Sequence, residues 1–142
     1  VTADPVAGVP LSERVRALLD APVFAVVATV GADGMPHQSV VWVTHDASQL
    51  IFGIERGSRK ARDLARAPRV GVLLHPPEAP YTYVSVRGTA RLEPPGQHPG
   101  LMDALSAKYT GLSHAEFLGD QVPADDDLLF VRVVAERVLE IP

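Results

Sequence analysis

Three runs rich in β-branched and aromatic residues fall within thirty-three positions: VFAVVATV (Val23–Val30), HQSVVWVTH (His37–His45) and LIFGIE (Leu50–Glu55). Such composition favours strands. Between them lie only GADGMP and DASQ. A parallel crossover needs a dozen or more residues, so these runs can pair only antiparallel, as a meander. Asp33-Gly34 supplies the first tight turn. VFAVVATV has no polar alternation, which predicts a strand buried on both faces.

The rest of the chain fits the same frame. Ser12 can cap a short helix carrying Val15, Leu18 and Leu19 at helical spacing, with Pro22 as its stop. Ser58 can cap a second helix running to about Ala67, with Ala61, Leu64 and Ala65 as its apolar face and Pro68 beyond it. RVGVLLH (Arg69–His75), YTYVSVRGTARLE (Tyr81–Glu93) and LLFVRVVAERVLEI (Leu128–Ile141) read as strands, with Gly88 marking a bulge. LMDALSAKY and HAEFLGD read as helices, and VPADDD as a solvated loop. The prediction is a mainly β chain: a six-stranded antiparallel barrel with short helices. Closure removes the exposed edges that an open sheet would leave. Two strands apolar on both faces exceed what one small barrel interior needs, so a homodimer is expected. Residues 1–10 are expected as a flexible arm, since VTADPVAGVP has neither basic residues nor an apolar run of signal-peptide type. The Val1 start is read as processed or trimmed, and residues 11–142 as one domain.

The 142 residues contain no Cys. Disulfides, thiolate nucleophiles and Cys-ligated metal are therefore excluded, and a reducing cytoplasm suits the chain. No apolar run reaches the roughly 18 residues of a membrane span, so no membrane partner is expected. The five His (37, 45, 75, 98 and 114) form no HxxxH or HExxH pair, so no metal site is expected. GxxxxGK[ST], GxGxxG and GxSxG are all missing.

The charge is unevenly placed. The chain has net charge −4, yet Arg56, Arg59, Lys60, Arg62, Arg66 and Arg69 fall within fourteen positions that hold one acid, Asp63. Cations in the first turn of a helix oppose its macrodipole by about 0.3–1 kcal/mol each. A bound anion would reverse that penalty, because a phosphate could meet the free N–H groups, the Ser58 hydroxyl and both side chains, with Gly57 allowing close approach. Two readings stay open on these residues: an anion cradle at 57–60, or a solvated basic helix. Nucleic acid fits poorly, since the chain is acidic overall and few aromatics interleave with the cations.

The segments VVATVGADGMPHQSVVWV, GSRKARDLARAPRVGVLL, YTYVSVRGTARL and LSAKYTG, in this order and spacing, resemble the pyridoxamine-phosphate-oxidase-like split-barrel flavin and deazaflavin oxidoreductases. Within them, the chain is most similar to actinobacterial members that use coenzyme F420. The resemblance runs from about Leu11 to Ile141. It implies a homodimer with the cofactor at the subunit interface. The cofactor phosphate end would rest on Gly57, Ser58, Arg59 and Lys60, helped by Arg56. The ring would lie along Gln38, Ser39, Val40 and Trp42 of the second strand and Gly53 and Ile54 of the third. The partner subunit would bring His75, Tyr81 or Tyr83 near the ring.

Plain structural alternatives accompany these assignments. Trp42 can be a core or interface anchor, and Gln38 and Ser39 can serve cross-strand pairing. His75 can be simply exposed. KYTG (Lys108–Gly111) reads as a helix stop, and Arg87 and Arg91 as a solvated strand face.

The resemblance implies hydride transfer from F420 to a small organic substrate, with FMN as the alternative cofactor. It fixes no catalytic residue. A cofactor carrier without turnover is the competing class. The chain is shorter than true pyridoxamine-phosphate oxidases and shows no segment of the kind that holds pyridoxal phosphate, so vitamin B6 oxidation is not expected.

Overall fold

In the computed structural model, residues 8–121 and 127–142 are described. Most of the expected arm, and Asp125 and Asp126 of the acidic loop, lie outside them. Val9 donates its N–H to the Ala135 carbonyl at 2.7 Å, so the described end of the arm lies against the barrel.

The strands are β1 (Ala25–Val30), β2 (Pro36–Val41), β3 (Val43–His45), β4 (Leu50–Glu55), β5 (Arg69–Leu74), β6 (Val84–Glu93) and β7 (Leu128–Glu140). The helices are α1 (Glu13–Asp20), α2 (Arg59–Arg66), α3 (Leu101–Thr110) and α4 (His114–Leu118). Seven strands stand where six were expected, because the run His37–His45 breaks at Trp42. Its first half pairs with β1, ending at Val41 opposite Ala25. Its second half pairs with β4, starting at Val43 opposite Phe52. The meander is therefore present, but its middle strand is shared between two neighbours.

All ladders are antiparallel, in the order β2-β1-β5-β6-β7-β4-β3. The two ends of that order are the halves of one bent strand, which curls the sheet into a barrel with a slit between β2 and β4. The register slips between Arg87 and Gly88, as the glycine implied. A Cβ on Gly88 would stand 2.2 Å from the Val134 carbonyl oxygen, so the bulge needs a residue without one.

The barrel interior holds Val27, Val43, Phe52, Val72, Leu74, Val86, Val131 and Val133, closed at one end by Val15 and Leu19 of α1. Ser12 caps α1 through the Val15 N–H. The expectation that β1 is buried on both faces needs correction: its residues alternate between buried and half-buried, and Phe24 just before it is 51% exposed. β4 is the strand covered on both sides. Its outer residue Ile51 packs with Leu105 of α3 and Phe130 of β7 in a second cluster, flanked by Trp42, Leu101, Met102 and Tyr109. β4 thus has its outer cover within the same chain.

Candidate cofactor cleft

The slit between β2 and β4 opens into a cleft of about 410 Å³ lined by Phe24, Val40, Val41, Trp42, Gly53, Ile54, Glu55, Ser58, Lys60, Met102 and Leu105. Sequence reasoning named six of these: Val40, Trp42, Gly53, Ile54, Ser58 and Lys60. The split itself brings them together, because β2 and β4 are not hydrogen-bonded neighbours and α2 follows β4 directly.

The floor at Gly53 is tight. A Cβ there would meet Met102 Sδ at 3.3 Å and a Phe130 ring carbon at 3.4 Å, so a side chain would push into the α3 packing. Trp42 forms one wall, stacked on Tyr109 with centroids 5.4 Å apart and planes 7° apart, and tilted against Phe117 at 5.3 Å. Val40 is 65% exposed, which leaves apolar surface uncovered at the cleft edge.

The basic turn forms the other end. Ser58 is the N-cap of α2 and accepts the Ala61 N–H at 3.2 Å. The N–H groups of Arg59 and Lys60 have no intrahelical acceptor in that first turn. Lys60 Nζ donates to Ser39 Oγ at 3.0 Å, joining the helix start to β2 across the slit. Arg59 is exposed, and the Met35 N–H that Asp33 accepts, with a small further pull from the Arg59 charge, holds the Asp33 carboxyl below its usual range. The first turn of α2 contains no acid. Gly57 has no other group within contact of its Cβ position, which leaves open space beside the turn.

The remaining cations divide in a way the sequence did not reveal. Arg62 folds back on the Gly57 carbonyl at 2.8 Å, and Arg66 donates to the Val30 carbonyl. Asp63 is buried and accepts the Thr29 hydroxyl at 2.8 Å, so α2 is fastened to β1 through two contacts. Arg62 and Arg66 therefore brace the turn and dock the helix while remaining exposed to water. Arg56 donates its backbone N–H to Asp127 at 2.6 Å.

Other expected residues are placed apart from the cleft of this chain. Gln38 is exposed on β2 opposite Ala28 and does not line the cleft. His75 follows β5, with Nδ1 buried and without a hydrogen-bond partner. Tyr81 is 86% exposed, and Tyr83 precedes β6, its carbonyl accepting the Ile141 N–H. Sequence reasoning missed Phe24, Val41, Glu55, Met102 and Leu105. The helical spacing of Leu101, Met102, Leu105 and Tyr109 was the available signal, since it marks an apolar stripe that must cover something.

Among the described residues, no group of three or more His, Asp or Glu could hold a metal ion. No helix there is long and apolar enough to cross a membrane.

The family model for pyridoxamine 5'-phosphate oxidase matches residues 11–141. The chain belongs to this family. A curated pyridoxamine 5'-phosphate oxidase family relative, the pyridoxine/pyridoxamine 5'-phosphate oxidase of Aeromonas hydrophila, is 42% identical over 64 residues, 44% of this chain and 30% of that protein. The match thus spans under a third of such a relative's length. Among solved structures, an F420 reductase shares 25% identity with a TM-score of 0.75, covering 91% of this chain and 98% of its own. A conserved hypothetical protein from Mycobacterium tuberculosis shares 25% identity with a TM-score of 0.70, covering 96% and 88%. The split-barrel fold of the family is thereby shown for this chain.

Proposed function

We propose that the chain is an oxidoreductase that binds the deazaflavin coenzyme F420 in the slit cleft and serves hydride transfer to a small organic substrate. The observation that carries this reading is the Lys60–Ser39 hydrogen bond, which joins a cationic helix start to a cleft walled by Trp42, Val40 and Gly53. A phosphate would rest on Ser58, Arg59 and Lys60, with Gly57 and Arg56 beside it. A flat ring would lie against Val40, Trp42, Gly53 and Ile54, near the backbone of Gln38 and Ser39.

When bound, the cofactor supplies the hydride, and the difficult chemistry is its own. The residues of the chain bind, orient and exclude water. Phe24, Trp42 and Met102 give apolar walls, while the α2 start gives the only cationic side chain in the cleft lining, Lys60. Likeness to an F420 reductase along nearly the whole chain favours F420 over FMN, the alternative cofactor of the same fold. No catalytic side chain is assigned.

The reading includes a homodimer. Val40, Val26, Leu73, Ser85 and Leu139 are paired in one row across β2, β1, β5, β6 and β7. Val40, Leu73 and Leu139 in that row are 65%, 36% and 44% exposed, and Phe24 nearby is 51%. A mainly apolar row of this kind, interrupted only by Ser85, on an outer sheet face suits a self-complementary interface. His75, Tyr81 and Tyr83 would then approach the cleft of the other subunit.

Titration with F420 and with FMN, followed by cofactor fluorescence, tests the reading. Binding of F420 more tightly than FMN is expected, and binding of neither would overturn it. Reduced F420 with a panel of quinones, enones and tetrapyrroles separates an enzyme from a carrier: the enzyme oxidises the cofactor with at least one of them.

A further inference from the structure

Lys108 and Tyr109 precede the glycine that ends α3, and a helix stop needs neither of them. Gly111 alone provides the left-handed C-cap, at φ 78°. The two side chains instead meet the barrel where its strand divides.

At Trp42 the strand leaves β1. Its last partner there is Ala25, opposite Val41, and Val43 already pairs with Phe52 of β4. Among the described residues Val43 pairs with β4 alone, and it is fully buried, so water cannot serve the backbone groups on its other flank. Tyr109 and Lys108 serve them. The Tyr109 hydroxyl accepts the Val43 N–H at 3.1 Å and donates to the Val23 carbonyl at 2.6 Å. Lys108 Nζ donates to the carbonyl of Val43 and to that of Leu19, the latter at 2.6 Å. One turn of α3 therefore replaces the missing ladder and ties together the end of α1, the approach to β1 and the start of β3.

The same tyrosine ring supports the cleft wall. It stacks on Trp42 and lies 5.1 Å from Phe24 at a 39° tilt, and both of those side chains line the cleft. Lys108 Nζ stands 4.8 Å from the Tyr109 ring centroid, a cation–π contact that adds to the hold on the ring.

We propose that Lys108 and Tyr109 are positioning residues for the cleft: they hold the strand open at Val43 and set the angle of the Trp42 and Phe24 rings against a bound flat ring. The part concerning a bound ring rests on the cofactor reading above; the part concerning the strand does not. Neither residue reaches the cleft lining, so both act through Trp42 and Val43.

The chain has a single Trp, so Trp42 emission reports this point without any ligand. Tyr109→Phe keeps the stacking ring and removes only the hydroxyl. Acrylamide quenching of Trp42 in the cofactor-free variant should rise about twofold, as in a locally loosened segment. Affinity for F420 or FMN, whichever the wild type binds, should fall about tenfold, the loss expected when one buried hydrogen-bonding anchor is removed. Val86→Ala, in the core on β6 at the middle of the strand order and away from both edges of the slit, gives a destabilised control that should alter neither readout. Lys108→Met provides a second variant with the same expected direction.

Unchanged quenching and affinity in Tyr109→Phe would overturn the proposal, as would an equal affinity loss in Val86→Ala. If the wild type binds neither cofactor, the cofactor reading fails, and the quenching comparison still decides whether Tyr109 holds Trp42.

Discussion

Arg59 offers a perturbation whose two effects should have opposite signs. It is exposed at the first position of α2, a first turn without any acid, and it makes no hydrogen bond among the described residues. A cation there opposes the helix dipole by about 0.3–1 kcal/mol. Arg59→Gln should therefore stabilise the cofactor-free protein, raising Tm by roughly 1–4 °C for a chain of this size. Its weak attraction to Asp33, the least of the influences on that carboxyl, subtracts little. With a phosphate on the turn, the same charge is favourable, and a hydrogen bond to a charged group contributes about 1.5–3 kcal/mol. The variant should lose roughly tenfold or more in cofactor affinity, with a shallower salt dependence than the wild type. Calorimetry of the cofactor-free proteins and fluorescence titration at two salt concentrations read both effects. A solvated basic helix would give the Tm rise with affinity changed by no more than about twofold, the usual limit for a surface substitution. That outcome, or a fall in Tm, would refute the cradle.

Three further outcomes follow from the fold. Gly88→Ala forces a Cβ against the Val134 carbonyl, 2.2 Å away, and urea denaturation should show a loss of about 3 kcal/mol or failure to fold. On the proposed homodimer, Leu73→Arg puts a charge at the middle of the outer row, and sedimentation should then give a monomer for the variant against a dimer for the wild type, with the circular dichroism spectrum retained. Burial holds the Lys108 ammonium down to about 8, against its usual 10.5, with Asp20 opposing the shift. The unfolded chain then binds more protons than the folded one between those values, so this group's contribution to stability rises as pH climbs from about 8 to 10.5. Stability curves of the wild type and Lys108→Met at pH 7 and pH 9.5 should diverge in favour of the wild type, and parallel curves would contradict the buried ammonium.

Local signals carried most of the fold. Ser12 and Ser58 announced both helix starts, Gly88 the bulge, and the short links the antiparallel pairing, because each acts over a few residues. The break at Trp42 was not legible: HQSVVWVTH is a continuous strand by composition, and only closure of the barrel makes its halves choose different neighbours. The same limit hid the division among the cations. Arg59, Arg62 and Arg66 are alike in sequence, yet Arg62 meets Gly57 and Arg66 meets Val30 because of where β1 passes α2. The cover of β4 was equally hidden, because nothing local shows that α3 returns to pack on Ile51. Tyr109, 66 or more residues from every group it supports, carried no local sign of its role.

The most direct test of the cofactor cleft uses the single Trp. Trp42 forms the cleft wall, so a ring bound there must quench its emission. Titration of the wild type with F420 should quench Trp42 saturably, in parallel with cofactor binding, and Lys60→Ala should shift the curve to higher F420 concentration without changing its end point. Binding of F420 with Trp42 emission unaltered would contradict the account.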